Sequence, residues 1–474
     1  MKKAFTFILL ALIVVAGLWF RLKGISTNHS FWADEAYISS VSRDLVTGKI
    51  SILKAIKMPG VSYQPFNMLL TAISFQLFGI SEWSARLPIV IFGTLGIVFA
   101  YLVAKKLSDE SGGLLAAFLY AFSQLNIANA IQAKPYAVLE TLFLLAVYLL
   151  LLLSENKKKN LCLHILIIFI LSIATLIHLI GIFFWIPYLI FIVIKIKKKW
   201  LIPIGLIIFI SAFNLWTSVF GLFKFNEGKY LFVYNNITYT RELLWKNYAF
   251  LLLPAIFGLA VCWKKNKLLI LETIIWLATL TFFWTFRSYS HNIRYLISFF
   301  GVIFVFFGVF WSKVGEKLID NKSWLSCLLV AGFLYVGGYK IVRKPAIYYT
   351  PNADLYGDVQ IADYKTAFAL IKQKMPDYKD IAIFNDIPDA QRWYLDKQPT
   401  IFFAKGSKNS TLEQFLIEKA KYNKGLLIVE DWESLLPEDI KQYAKKNMTR
   451  VIRVEGLPEA QGDNWPLEVY SWEN

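Results

Sequence analysis

The sequence is poor in the residues from which disulfide scaffolds and metal sites are built. Its 474 residues include three cysteines, Cys162, Cys262 and Cys327, each inside an apolar stretch, and four histidines. Thiols so placed offer neither a disulfide framework nor metal-ligand spacing, and they read as small buried apolar residues. The C-terminal part has no Gly-rich phosphate loop and no nucleophile elbow, and the chain has no Asp-x-Asp pair. No period of 20 to 50 residues recurs, which excludes a solenoid or propeller. Charge is also scarce, at 18% of residues, where a soluble domain has about a quarter.

What the sequence has instead is apolar length. Hydrophobic residues make up 57% and mean hydropathy is +0.50. They fall in blocks of roughly 17 to 25 residues, enough to cross a hydrocarbon core of about 30 Å as helix. The net charge of +17 is unevenly placed. Residues 345–474 carry 16 Lys and Arg against 20 Asp and Glu, and residues 1–344 carry 34 against 13. That surplus sits in short lysine clusters between apolar blocks, a pattern that orients helices and faces anionic lipid. It does not form a groove for nucleic acid, so no such partner is expected.

The pattern predicts a polytopic α-helical membrane protein. About eleven spans lie near 4–20, 84–104, 112–128, 137–153, 161–178, 180–196, 201–221, 246–263, 268–286, 294–311 and 324–339. The first is read as a retained helix, since no clear small-residue cleavage site follows it. Residues 161–194 form one apolar run too long for a single crossing; it is split at His178–Gly181, with Pro187 as a further breaker. Lys105-Lys106, Lys157–Lys159, Lys195 with Lys197–Lys199, Lys264-Lys265 with Lys267, and Lys313 with Lys317 mark the cytoplasmic side. With the N-terminus inside, the first outer loop (21–83), residues 222–245, the turn 287–292 and the C-terminus then lie outside. Within the first loop, Pro65–Phe78 is amphipathic and is expected at the interface.

Composition divides the chain into a transmembrane domain, 1–344, and a soluble extracytoplasmic α/β domain, 345–474. The second shows strand-length apolar runs at Ile381–Phe384, Thr400–Phe403, Leu426–Val429, Val451–Val454 and Leu467–Tyr470. Helical patterns stand between most of them: Ile361–Met375, Asp389–Leu395, Leu412–Tyr422 and Glu438–Lys446. This alternation predicts a sandwich around a mostly parallel sheet, with no chemistry of its own.

Candidate chemistry gathers at the outer ends of the spans. Trp32-Ala33-Asp34-Glu35-Ala36-Tyr37 places two adjacent carboxylates just beyond the first span. Such a pair suits sugar transfer to a hydroxyl, which needs a carboxylate to take the proton; a solvated loop pair is the plainer reading. Gln132-Ala133-Lys134-Pro135-Tyr136 puts a lysine outside, against the charge bias, which suits an anionic partner or a side chain snorkelling to the headgroups. His291 and Arg294-Tyr295 mark a third outer end, where an arginine suits bidentate phosphate binding. His178 and Arg86 sit at helix ends where structural roles are common. Glu140, inside a span, is a functional candidate by position or a partner of Lys134.

In this order the motifs resemble the GT-C class of polyprenyl-phosphate-sugar glycosyltransferases. The resemblance is to the bacterial branch of the dolichyl-phosphate-mannose protein O-mannosyltransferases, with the aminoarabinose transferase of lipid A as a cousin. Arg21-Leu22, Trp32–Tyr37, Tyr63-Gln64-Pro65, Leu77-Phe78-Gly79, Ala85-Arg86-Leu87-Pro88, the Lys134 element, His178 and Arg294-Tyr295 carry it across residues 15–310. The resemblance implies Asp34 as general base, with Glu35 positioning. It implies Lys134 and Arg294 on the donor phosphate, with Tyr136 and Tyr295 alongside, and Gln64, Arg86, Gln132, His178 and His291 as further substrate-site candidates. The donor is then a polyprenyl-phosphate-linked sugar, with no cofactor and no metal. The acceptor is a protein, lipid A or a surface glycan, and the place is the outer face of the inner membrane, among membrane lipids. Where the family often has Glu-Ala-Arg-Pro-Tyr, this chain has Gln132 and Lys134; where the aminoarabinose transferase has a lysine, it has Gln64.

Two other readings compete. A lipid-sugar flippase or transporter calls for charges at the midplane and broken helices in matching halves, whereas the charges here cluster at outer ends. A non-catalytic assembly subunit leaves those polar residues without a role.

Overall fold

The computed structural model describes residues 3–23, 25–26, 30–62, 64–155, 161–195, 237–264, 266–287, 293–319, 322–338, 341–342, 362–403, 411–430, 436–456 and 466–473. The first half contains α1 (Lys3–Leu22), α2 (Ala33–Val46), α3 (Ile52–Ile56), α4 (Pro65–Phe78), α5 (Glu82–Leu107), α6 (Glu110–Phe122), α7 (Gln124–Ala130), α8 (Tyr136–Glu155), α9 (Leu161–Ile177) and α10 (Trp185–Lys195). Then follow α11 (Ile237–Arg241), α12 (Tyr248–Cys262), α13 (Lys267–Arg287), α14 (Ile297–Leu318) and α15 (Ser323–Gly337). The chain divides into two compact units, one of Met1–Ile25 with Ile50–Leu355, the other of Ser26–Lys49 with Tyr356–Asn474. The Asp34 segment, read from sequence as part of the transmembrane domain, therefore folds with the C-terminal residues.

In the membrane unit six described stretches are long and apolar enough to span: Ala4–Leu22, Glu82–Leu107, Tyr136–Glu155, Leu244–Cys262, Lys267–Phe286 and Ile297–Leu318. The stretches Pro65–Phe78, Glu110–Phe122, Leu161–Ile177, Leu179–Lys195 and Ser323–Gly337 are apolar but shorter. The expected span at 201–221 lies outside the described residues. The one expected at 112–128 is two helices, because Ser123 is extended and pairs as an isolated β-bridge with Ile341. The break at His178 is present: the helix stops at Ile177, a 3₁₀ turn covers Leu179–Phe184, and α10 returns along α9. Trp185 Nε1 donates to Thr175 Oγ1 at 3.1 Å, and His164 Nδ1 meets the Tyr188 hydroxyl at 3.1 Å. Pro187 breaks nothing, since it falls in the first turn of α10, where a missing N–H is tolerated.

Close packing here depends on small residues, as lipid tails give helices no hydrophobic reason to associate. A Cβ at Gly308 of α14 would lie 2.3 Å from the Gly112 carbonyl oxygen of α6. At the end of that contact Asp109 caps α6, accepting from the Ser111 and Gly112 N–H groups at 2.9 Å each. The same carboxylate accepts from the Ser312 and Ser323 hydroxyls, tying α6 to α14 and α15.

The second unit holds α2, α16 (Tyr364–Lys374), α17 (Pro388–Leu395), α18 (Leu412–Ala420) and α19 (Glu438–Asn447). Its strands are β1 (Ala382–Asn385), β2 (Ile401–Phe402), β3 (Lys424–Glu430), β4 (Thr449–Val454) and β5 (Leu467–Glu473), in the order β2-β1-β3-β5-β4. Strand side chains alternate faces. Ile383, Leu426, Ile428 and Val469 pack with Phe368, Ile371 and Leu395 of α16 and α17. Phe384, Leu427, Val429 and Tyr470 pack with Phe415, Ile440 and Ala444 of α18 and α19. All five strands and four helices lie where the alternation predicts, but the sheet is only half parallel. β2, β1 and β3 are parallel, whereas β5 is antiparallel to both β3 and β4. No helical pattern separates β4 from β5, and without a crossover helix a short return reverses the strand.

Candidate active site

The Asp34 loop is ordered by its own sequence. Glu35 is the third residue of α2 and reaches back, its Oε2 accepting from the Trp32 N–H at 3.2 Å. This is half of a capping box, and it leaves Glu35 fully buried. Asp34, one residue earlier, points elsewhere on the helix and is exposed. Both carboxylates stand in the first turn, where the helix dipole favours negative charge.

The same helix is fastened to α17. The Phe31 N–H donates to the Tyr394 hydroxyl at 2.9 Å, and the Phe31 ring lies 5.0 Å from that of Trp393. Arg43 donates to the Arg392 and Trp393 carbonyls at 3.0 Å each and lies over the Trp393 ring. Arg392 pairs with Asp44 at 2.6 Å; Arg43 and Lys49 both pair with Asp396, at 2.8 and 3.0 Å. At the other end, Asp389 stands in the first turn of α17. Burial pushes the Asp389 carboxyl up to about 6, against the pull of Arg392 and with the push of Asp34. The Tyr37 phenol is likewise raised by burial, with Arg392 opposing and Asp389 adding. Nothing in the sequence pointed to Asp389, Arg392 or Tyr394; the only signal was the helical pattern of 389–395.

In the membrane unit, Gln132–Pro135 form the turn between α7 and α8. The turn is tight: the Lys134 N–H reaches the Gln132 carbonyl at 2.7 Å. Lys134 is 4% exposed, Gln132 2% and Tyr136 5%, so this cation is not a headgroup snorkel. Two residues on, Tyr136 belongs to a cluster of three rings. Tyr136 lies 5.6 Å from His178 and 5.7 Å, edge-on, from Tyr295. His178 caps the 3₁₀ turn, its Nδ1 accepting from the Ile180 N–H at 3.2 Å. Arg294 lies in the short turn Ile293–Leu296, which holds Tyr295. His291 and the Arg294 side chain lie outside the described residues.

Other candidates have evident structural partners. Arg86 is fully buried, donating to the Ile25 carbonyl at 3.3 Å with Glu82 at 4.0 Å. Gln64 donates to the Gly60 carbonyl and accepts from Asn67, both at 3.2 Å. Glu140 takes its hydrogen bond from Asn126 at 3.0 Å, where the sequence suggested Lys134. Arg21 is fully buried and donates to the carbonyls of Gly17, Tyr120 and Ala121 at 2.9–3.0 Å, closing the end of α6. Among the described residues no group of three or more His, Cys, Asp and Glu side chains could hold a metal ion.

A bundle of apolar helices with a small five-stranded sheet domain is the layout of the GT-C fold. Residues 62–218 match the dolichyl-phosphate-mannose-protein mannosyltransferase family. An uncharacterized protein of Aquifex aeolicus is 28% identical over 160 residues, 32% of this chain and 30% of that relative's length. In fold, the chain is similar to ArnT from Cupriavidus metallidurans in the apo state, with TM-score 0.65 and 12% identity over 97% of both chains. It is also similar to that protein bound to undecaprenyl phosphate, with TM-score 0.61 and 13% identity over 99% of this chain and 98% of that one. Archaeal oligosaccharyltransferase AglB from Archaeoglobus fulgidus, in complex with an inhibitory peptide and a dolichol-phosphate, has TM-score 0.61 and 12% identity over 90% of this chain and 69% of that one. The family model matches a third of the chain, and these solved structures share its fold.

Proposed function

We propose that the protein is an inverting glycosyltransferase that moves a sugar from a polyprenyl-phosphate donor to an acceptor hydroxyl on the outer face of the inner membrane. Asp34 accepts the proton of the acceptor hydroxyl, whose oxygen bonds to the anomeric carbon. The bond from that carbon to the phosphate oxygen breaks, and the phosphate leaves with the electron pair. Lys134 and Arg294 neutralise the charge that builds on it, the usual means of stabilising such a transition state. Tyr136 and Tyr295 flank the phosphate, and Glu35 shapes the Asp34 turn.

The observation that carries this reading is Lys134. A nearly buried ammonium at the mouth of an apolar bundle suits a ligand that is anionic at its head and apolar along its tail. In the low dielectric there its attraction for a phosphodiester is stronger than in water. The acceptor class is a protein, lipid A or a surface glycan. Comparative mass spectrometry of glycoproteins, lipid A and surface glycans, from cells with and without the gene, tests the reading. One glycan modification should disappear with the protein and return with the intact sequence but not with Asp34→Asn. Identical spectra from both strains would refute it.

A further inference from the structure

We propose that Glu140 is a positioning residue for the donor phosphate: its buried carboxyl fixes how α8 is turned against α7 and α14, and so the direction of Tyr136 and of the Lys134 turn that leads into it. The inference rests on the reading of Lys134 as a ligand of that phosphate. Tyr136 and Glu140 stand one helical turn apart on α8 and therefore share a face of the helix. Both meet the same neighbouring segment. The Tyr136 ring lies 5.7 Å from that of Tyr295, and the Glu140 carboxyl lies against Gly301, further along in the second turn of α14.

This contact is built around the acid. A Cβ at Gly301 would lie 2.7 Å from Glu140 Oε1 and 3.1 Å from its Cγ, so glycine makes the room that this side chain fills. The other oxygen, Oε2, accepts from Asn126 Nδ2 of α7 at 3.0 Å. Asn126 precedes and Glu140 follows the turn that carries Lys134, so the bond clasps that hairpin at its base. Beside Glu140, the Thr141 hydroxyl donates to the Phe92 carbonyl of α5 at 2.7 Å. Asn126, Glu140 and Thr141 are all buried. One polar layer, a turn along from Tyr136, thus ties α8 to α5, α7 and α14. Stability alone does not call for it. An ionisable side chain inside a membrane bundle is costly, and hydrogen bonds between such helices return little on average. A buried polar pair instead admits one rotation of the helices where apolar side chains admit several. What that rotation sets, on the same face of α8, is where Tyr136 points and how the chain enters from Lys134.

The test uses the full-length protein in lipid nanodiscs, with undecaprenyl phosphate as the probe. Native mass spectrometry reads its binding, and thermal melting is followed in parallel. Asn126→Leu with Glu140→Leu removes both members of the buried pair, so no polar group is left stranded. This variant should melt no lower than the intact protein yet bind the probe roughly tenfold more weakly, as expected for groups coupled in one packed network. Glu140→Gln, which can still accept from Asn126, should keep most of the affinity. In a Lys134→Met background the two leucines should cause little further loss, because the contact they misplace is already gone. Gly301→Ala, whose methyl displaces the carboxyl without removing it, should also weaken binding, and it decides the matter if the leucine variant does not fold. A lower melting temperature with unchanged affinity, an equal loss with and without Lys134, or full affinity in Gly301→Ala overturns the inference. If Lys134→Met itself binds the probe normally, the reading of Lys134 as a phosphate ligand fails, and this inference with it.

Discussion

Replacing Lys134 by methionine keeps the length and apolar body of the side chain and deletes only the ammonium. At 4% exposure, little water is available to take over a lost contact. A charge-assisted hydrogen bond to phosphate contributes about 1.5–3 kcal/mol, and this burial favours the upper half of that range. A loss of about 2–3 kcal/mol corresponds to binding weakened roughly 30- to 150-fold. Titration of undecaprenyl phosphate into purified protein in nanodiscs, followed by native mass spectrometry, measures it directly. Lys134→Arg, which keeps the charge but must fit a bulkier fork into a buried place, should bind better than Lys134→Met. A folded Lys134→Met protein with unchanged affinity would refute the assignment, leaving the lysine a structural tie of the turn before α8.

Further outcomes follow from the same geometry. Asp34→Asn should fold and bind the donor normally but transfer about 10²–10⁴-fold more slowly, whereas Glu35→Gln should mainly weaken α2, by about 0.5–2 kcal/mol as a lost cap does; turnover per folded molecule and thermal stability tell them apart. Asp389 has a folded-state value of about 6, above its ordinary 3.8, so its contribution to stability is greatest below pH 4 and is lost as pH rises through 6. Differential scanning fluorimetry of the full chain should therefore show a fall in melting temperature from pH 5 to 7 that shrinks in Asp389→Asn, and an unchanged fall would refute it. In a Cys162→Ser background, Thr47→Cys and Gln442→Cys, exposed positions of one compact unit, should both react with an impermeant maleimide from the extracytoplasmic side; labelling from opposite faces would rule that out.

The legible parts of this protein are those governed by local chemistry. Apolar runs give helices at 3–22, 82–107 and 136–155 within a few residues of their predicted ends, and the helix at 297–318 runs seven residues past its own. Continuous apolar runs of strand length locate all five strands because the sheet is covered on both faces. The illegible parts are those settled by partners remote in sequence. The break at Ser123 comes from a pairing with Ile341, and nothing near Ser123 announces it. The direction of β5 depends on a return after β4 and not on its own residues. Of the candidate residues, Tyr136, His178 and Tyr295 lie together although their motifs are far apart in sequence. The salt bridges from Arg43 and Asp44 to α17 were invisible, because a charged residue on an amphipathic helix looks the same whether it meets water or a distant arginine.

The two carboxylates of the outer loop show how a fold assigns different chemistry to adjacent identical groups. Successive residues of an α-helix point about 100° apart, so only one side chain of such a pair can turn back toward the N-cap. In α2 that residue is Glu35, fully buried, with one oxygen occupied by the Trp32 N–H. A carboxylate in that position is acceptor to a backbone donor it cannot leave without exposing an unsatisfied group, and it is poorly placed to take up and release a proton in each catalytic cycle. Asp34, one residue earlier, remains exposed. The capping geometry thus gives Glu35 the task of holding the turn, and it accords with the proposed role of Asp34 as the proton acceptor.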